Sequence, residues 1–172
     1  MSGRRLFVIG GARSGKSRHA QARAEALPGP LIFVATAEAH DDEMRDRIAH
    51  HRADRDRRWR TVEAPRDLPA AIAALDAPDA VLLVDCLTLW VSNLMLDDAD
   101  IDAATDALCG AVGRFSGHII LVANEVGLGI VPDNALARRF RDLAGRVNQR
   151  TAAIVDEVIL IAAGLPLTLK AS

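Results

Sequence analysis

Aromatic side chains are scarce: the 172 residues include two Trp, four Phe and no Tyr. Binding of single-stranded nucleic acid by stacking bases on rings therefore has little to work with. The positive field of a phosphate-backbone binder is missing too, since the net charge is −2 and the isoelectric point about 6.2. No nucleic-acid partner is expected. Cysteines number two, Cys86 and Cys109, too few for a disulfide framework and without zinc-site spacing. They point to a reducing cytoplasm and read as small buried residues. Long hydrophobic runs are lacking as well. The longest, Val158 to Leu169, is broken by Gly164 and Pro166 and falls short of the roughly 18 to 20 residues that span a bilayer. No transmembrane segment is expected. Arg4-Arg5 ahead of Leu6–Ile9 looks like the start of a signal peptide, but Arg13 and Lys16 follow too soon, so the run reads as a first strand.

What is present is ample for a packed interior: half of the residues are hydrophobic and 26% are charged, in a length suited to a single domain over 1–172. Short aliphatic runs at Leu6–Ile9, Leu31–Ala35, Ala80–Val84, His118–Ala123, Val158–Ala162 and Leu167–Lys170 are continuous rather than alternating. That pattern predicts strands buried on both faces of a mostly parallel sheet. Between them, helical spacing marks Lys16–Leu27, His40–Arg58, Leu68–Leu75, Leu87–Leu96, Ile101–Phe115 and Asn134–Asp156. The βα alternation predicts a three-layer α/β domain with right-handed crossovers. Acids and arginines crowd together from Asp41 to Arg60, as on a solvated helix with pairs three or four residues apart.

Gly10-Gly11-Ala12-Arg13-Ser14-Gly15-Lys16-Ser17 matches G-x-x-x-x-G-K-[ST] directly after the first strand and at the opening of a helix, the context the motif requires. Glycines let the backbone wrap phosphate oxygens, and helix N-terminal amides add positive potential. Lys16 brings a full charge to the β- and γ-phosphates, and the Ser17 hydroxyl is a Mg²⁺ ligand candidate. Of 21 basic residues only Lys16 and Lys170 are lysines, so a lysine at the one position where the motif demands it strengthens the match. The fold class expected is thus α/β, a three-layer P-loop NTPase of RecA-like type. Asp85 closes the run Val81–Val84, read as a neighbouring strand, and is the second metal candidate. Thr36 and Asn124-Glu125 also fall just past strand ends, where a turn or cap role competes with a site role.

His50 and His51 sit about 100° apart on a helix and cannot face the same partner. Met44, Ile48 and His51 share the apolar stripe, whereas His50 aligns with Asp46, Arg47 and Asp54, so His51 is the one directed towards the protein. H-E-x-x-H spacing is absent, and with it a zinc role.

Together these segments resemble the bifunctional adenosylcobinamide kinase/adenosylcobinamide-phosphate guanylyltransferase family of cobalamin biosynthesis. The blocks that carry the resemblance are Gly10 to Arg18, Ala35-Thr36-Ala37, Asp41-Asp42-Glu43-Met44 through His50-His51, and Trp59-Arg60-Thr61-Val62-Glu63. Later come Asn124-Glu125-Val126-Gly127-Leu128-Gly129-Ile130-Val131-Pro132 and Arg138 through Gly145-Arg146-Val147-Asn148-Gln149-Arg150. The likeness spans nearly the whole chain, and the stretch between Leu94 and Ala123 is short beside the family pattern. The resemblance implies phosphorylation of a corrinoid hydroxyl by ATP or GTP, then GMP transfer from GTP through a guanylyl-histidine at His51. It implies nucleotide contacts at Gly10 to Ser17, at Ala35, Thr36 and Ala37, at Arg52, Ala53, Asp54 and Arg55, at Glu63 and at Asp85, with Mg²⁺ as cofactor and a homotrimer as the assembly. The phosphate loop without the histidine chemistry would leave a monofunctional small-molecule kinase as the alternative.

Overall fold

The computed structural model describes residues 3–38 and 58–171. The expected helix over His40–Arg58, but for Arg58 itself, lies outside the described residues, and with it His51, Arg52, Ala53, Asp54 and Arg55.

The described strands are β1 Arg5–Gly10, β2 Leu31–Ala35, β3 Trp59–Glu63, β4 Val81–Asp85, β5 His118–Asn124, β6 Glu157–Ala162 and β7 Leu165–Lys170. The helices are α1 Lys16–Glu25, α2 Leu68–Ala74, α3 Leu87–Leu96, α4 Ile101–Arg114 and α5 Ala135–Ile154. The sheet order is β3-β2-β4-β5-β1-β6-β7, parallel throughout except for the β6–β7 pair. The α/β class and the mostly parallel sheet are as the residue pattern predicts.

Alternation along β1 makes the layers. Leu6 and Val8 pack with Ala20 and Ala24 of α1 on one face, while Phe7 and Ile9 pack with residues of α2 to α5 on the other. Each fully buried aliphatic there, such as Leu68 and Ile72 of α2, contributes about 2 kcal/mol by leaving water. Helix α3 is apolar nearly all round because it is wedged among other elements: Leu87, Trp90, Val91, Leu94 and Met95 are all buried. Helix α5 starts at an Asn134 cap, whose side chain accepts from the Ala137 amide at 2.7 Å. Its Asn148 donates to the carbonyl of Asn124 at 3.4 Å. Because α5 runs antiparallel to the strands it connects, its N-terminal half stands beyond the carboxyl edge of the sheet.

Two expectations are corrected. Burial on both faces fails for the edge strand β7, which is exposed along nearly its whole length. Strand β3 is absent from the sequence reading altogether, because Trp-Arg-Thr-Val-Glu alternates as an edge strand does and lacks a continuous apolar run. The strand ending in Asp85 is also not β1's neighbour, since β5 lies between β4 and β1.

Candidate nucleotide site

The phosphate loop is shaped by three close approaches. A Cβ on Gly10 would stand 2.6 Å from the Ile161 carbonyl and 2.6 Å from Ser14 Oγ, so only glycine fits at the end of β1. Gly15 takes φ 95° as it turns into α1, a left-handed conformation that glycine adopts without strain. The third comes from the β6–β7 hairpin, whose turn residues Ala163 and Gly164 both have positive φ. The Gly164 amide donates to the Ser14 carbonyl at 2.8 Å, tying the far hairpin to the loop.

Gly11, Ala12 and Arg13 form the exposed rim, and Ser14 and Ser17 are half-buried. Lys16 is buried, with its Nζ donating to the Gly11 carbonyl at 3.0 Å. Ser14 Oγ is buried with no hydrogen-bond partner among the described residues, an unspent donor beneath the loop. A cleft of about 870 Å³ opens here, lined by Ala12 to Arg18, Asn124 and Gly164. Its size suits a nucleotide, and its walls present amides, hydroxyls and cations.

The other expected contacts lie farther along the carboxyl edge. Asp85 closes β4, two strands from β1, and is half-buried. Ala35 and Ala37 are half-buried at and just past the end of β2, and Glu63 is exposed at the end of β3. Strand β3 stands four strand spacings from β1, roughly 19 Å. The structure therefore brings Gly10 to Ser17 together with Asn124, and sets Ala35, Thr36, Ala37, Glu63 and Asp85 along the opposite stretch of the edge.

Thr36 is fully buried, and its hydroxyl is spent. It donates to the Cys86 carbonyl at 2.7 Å and accepts from the Cys86 amide at 2.8 Å. Asn93 of α3 adds to this tie, its amide nitrogen donating to the carbonyls of Thr36 and Pro65, both at 2.9 Å. The ends of β2, β3 and β4 are thus bound by two buried polar side chains. Arg66 is ion-paired with both Glu38 and Asp97 at the same rim, and its hydrogen bond holds the Asp97 carboxyl below the usual value. Replacing Thr36 with valine keeps the shape but leaves the buried Cys86 amide unpaired, while the Cys86 carbonyl keeps the Trp90 amide at 3.3 Å. We expect a loss of about 1 to 3 kcal/mol in unfolding free energy by denaturant titration.

Cys86 caps α3, its sulfur accepting from the Leu89 amide at 3.4 Å. Burial, and secondarily the charge of Asp85, pushes its thiol up to about 11. Since the thiolate is the nucleophile, Cys86 should resist alkylation by iodoacetamide at pH 8 in the folded protein and react once denatured.

Sequence reading missed Gly164, which it took only as an interruption, and Asn93 and Thr88. Thr88 Oγ1 accepts from the Asn124 amide at 2.7 Å, fixing the cleft wall. A lone Asn within the apolar run Leu87–Leu96 is the signal that marks a buried polar tie. Among the described residues no group of three or more His, Cys, Asp or Glu gathers to hold a metal. A hard cation here would draw on the oxygens of Ser17 and Asp85, a donor chemistry that suits Mg²⁺ alongside nucleotide phosphates.

The model of the family described as cobinamide kinase / cobinamide phosphate guanyltransferase matches residues 6–169. A curated relative from Salmonella typhimurium, "Bifunctional adenosylcobalamin biosynthesis protein CobU", is 45% identical and covers 96% of this chain and 99% of its own. The "Bifunctional adenosylcobalamin biosynthesis protein CobP" of Pseudomonas aeruginosa is 46% identical over 96% of this chain and 97% of its own length. Among solved structures, a prototypical ATPase from the type III secretion system of pathogenic bacteria aligns with TM-score 0.58 at 16% identity, covering 97% of this chain and 57% of the ATPase. A structure from Pyrococcus horikoshii aligns with TM-score 0.57 at 10% identity, covering 99% of this chain and 87% of its own. These structural likenesses bear on the fold, which is that of P-loop ATPases.

Proposed function

The chain belongs to the cobinamide kinase / cobinamide phosphate guanyltransferase family, and we propose that it carries out both reactions of that name within one domain. The observation that carries this is the glycine-shaped phosphate loop with buried Lys16 at the mouth of a cleft large enough for a nucleoside triphosphate.

In the first reaction a corrinoid hydroxyl oxygen bonds to the γ-phosphorus of ATP or GTP and the bond to the β–γ bridging oxygen breaks. The diphosphate leaves and the hydroxyl proton passes to solvent or a nearby carboxylate. Lys16 exchanges its Gly11 carbonyl for phosphate oxygens, and the loop amides hold the rest of the charge. When bound, Mg²⁺ would neutralise phosphate charge from Ser17 and, directly or through water, Asp85.

In the second reaction an imidazole nitrogen of His51 bonds to the α-phosphorus of GTP, and pyrophosphate leaves. An oxygen of the corrinoid phosphate then takes the GMP and frees His51, giving adenosylcobinamide-GDP. Neutral imidazole is nucleophilic near pH 7, and the phosphorus–nitrogen bond keeps enough energy to pass GMP on. Arg52 and Arg55 supply charge as pyrophosphate departs. Ala35 and Ala37 past β2, Glu63 at the end of β3, and Ala53 and Asp54 are the further nucleotide contacts, with Thr36 buried behind Ala35 and Ala37 to hold the strand ends together.

A homotrimer is the proposed assembly. Leu165, Leu167 and Leu169 project from the uncovered edge strand β7, an apolar row that a second copy of the chain would cover. No helix among the described residues is long and apolar enough to cross a membrane. The cytoplasm is the proposed location, on the biosynthetic role of the family.

Incubation with adenosylcobinamide and γ-labelled ATP or GTP tests the first reaction. The label should appear on the corrinoid; label found only as free phosphate would contradict it.

A further inference from the structure

The loop joining β5 to α5 has no role in the reactions as described. Its side chains Leu128 and Ile130 are 86% and 98% exposed, and Val131 and Leu136 are more than half exposed. Within 126–134 the hydrogen bonds to described side chains are local. The Gly127 amide donates to Glu125, and Arg138 donates to the carbonyls of Pro132 and Asp133 at 2.9 and 2.8 Å. Four aliphatic side chains within nine residues are thus left largely uncovered by the described chain, an exposed apolar stretch.

The loop that carries these side chains begins at the nucleotide cleft. Asn124 lines that cleft, and the Glu125 amide donates to the Gly10 carbonyl at 2.9 Å, so the loop leaves from beside the first residue of the phosphate loop. An acceptor hydroxyl must come within about 3.5 Å of the γ-phosphorus, in line with the departing oxygen. The bulk of the acceptor then radiates outward from that point over whatever surface adjoins it. Once a nucleotide occupies part of it, a cleft of about 870 Å³ leaves too little space to enclose a macrocycle as well. The surface available is the apolar loop, together with the half of α5 that rises past the sheet edge.

We propose that Leu128, Ile130, Val131 and Leu136 form the seat for the apolar face of the corrinoid ring, and so determine acceptor specificity. The proposal rests on the corrinoid reading of the function. A ring with an apolar face and a rim of amides is matched by aliphatic side chains here, and the scarcity of aromatics leaves aliphatic contact as the means of holding it. The rival occupant, a second copy of the chain, has a separate apolar row at β7, on the other side of β1 from β5.

The test is the double variant Leu128→Ser/Ile130→Ser beside the conservative Leu128→Met/Ile130→Val. Cobinamide binding is read by equilibrium dialysis using the corrinoid's own colour, with a non-hydrolysable GTP analogue present. Nucleotide affinity and sedimentation are measured in parallel. The serine variant should bind cobinamide about tenfold to a hundredfold more weakly and show the same rise in KM. Nucleotide affinity and sedimentation should be unchanged, and the conservative variant should stay near wild type. Unchanged cobinamide affinity in the serine variant would overturn the proposal. So would a change of sedimentation, because the loop would then be a subunit contact. Wild-type protein that neither binds nor phosphorylates cobinamide would instead overturn the corrinoid reading, and the seat with it.

Discussion

Replacing Lys16 by alanine should lower corrinoid phosphorylation by about 10³-fold, the scale of losing one preorganised charge stabiliser in a water-poor site. The variant should fold normally. Among the described residues the Lys16 ammonium makes a single hydrogen bond, to the Gly11 carbonyl, and the loop shape comes from Gly10, Gly15 and the Gly164 tie rather than from the lysine. Arginine at 16 should not rescue it, because a forked guanidinium does not fit where a compact ammonium is buried beneath the loop. Unchanged circular dichroism with lost turnover is the expected result. Turnover within a few-fold of wild type would remove the phosphate loop from the chemistry.

The second large effect is at His51. Its replacement by alanine removes the only group proposed to bond to the α-phosphorus, so GMP transfer should fall to background. The corrinoid should accumulate as its phosphate. Chromatography of the corrinoid products separates these outcomes: wild type runs through to the GDP conjugate, and the variant stops one step earlier. A variant that still forms the GDP conjugate at wild-type rate would mean direct attack of the corrinoid phosphate on GTP. Equal loss of both products would point instead to a shared structural role for the residue.

The parts of this site that were legible in the sequence are those with local causes. Gly10, Gly15, Lys16 and Ser17 announce themselves because a backbone that wraps phosphate needs particular residues at fixed spacing. The buried strands β1, β2, β4 and β5 show as continuous aliphatic runs because both faces are covered. Their order does not show. Pairing is non-local, and nothing in Val81–Asp85 says that β5 stands between it and β1. The edge strand Trp59–Glu63 was hidden by its alternation. Thr36 looked like a site residue past a strand end, but its hydroxyl is consumed by the Cys86 backbone, a partner 50 residues away. Gly164 reached the phosphate loop from a hairpin that sequence distance could not connect to it.

The central claim is that one chain uses its phosphate loop for kinase chemistry and His51 for nucleotidyl transfer. It is met most directly by incubating the protein with GTP labelled at the α-phosphate and chasing with adenosylcobinamide phosphate. The account predicts an acid-labile label on the protein that maps to His51, is absent from His51→Ala, and moves onto the corrinoid during the chase. No label on the wild type, or equal labelling of His51→Ala, would contradict it.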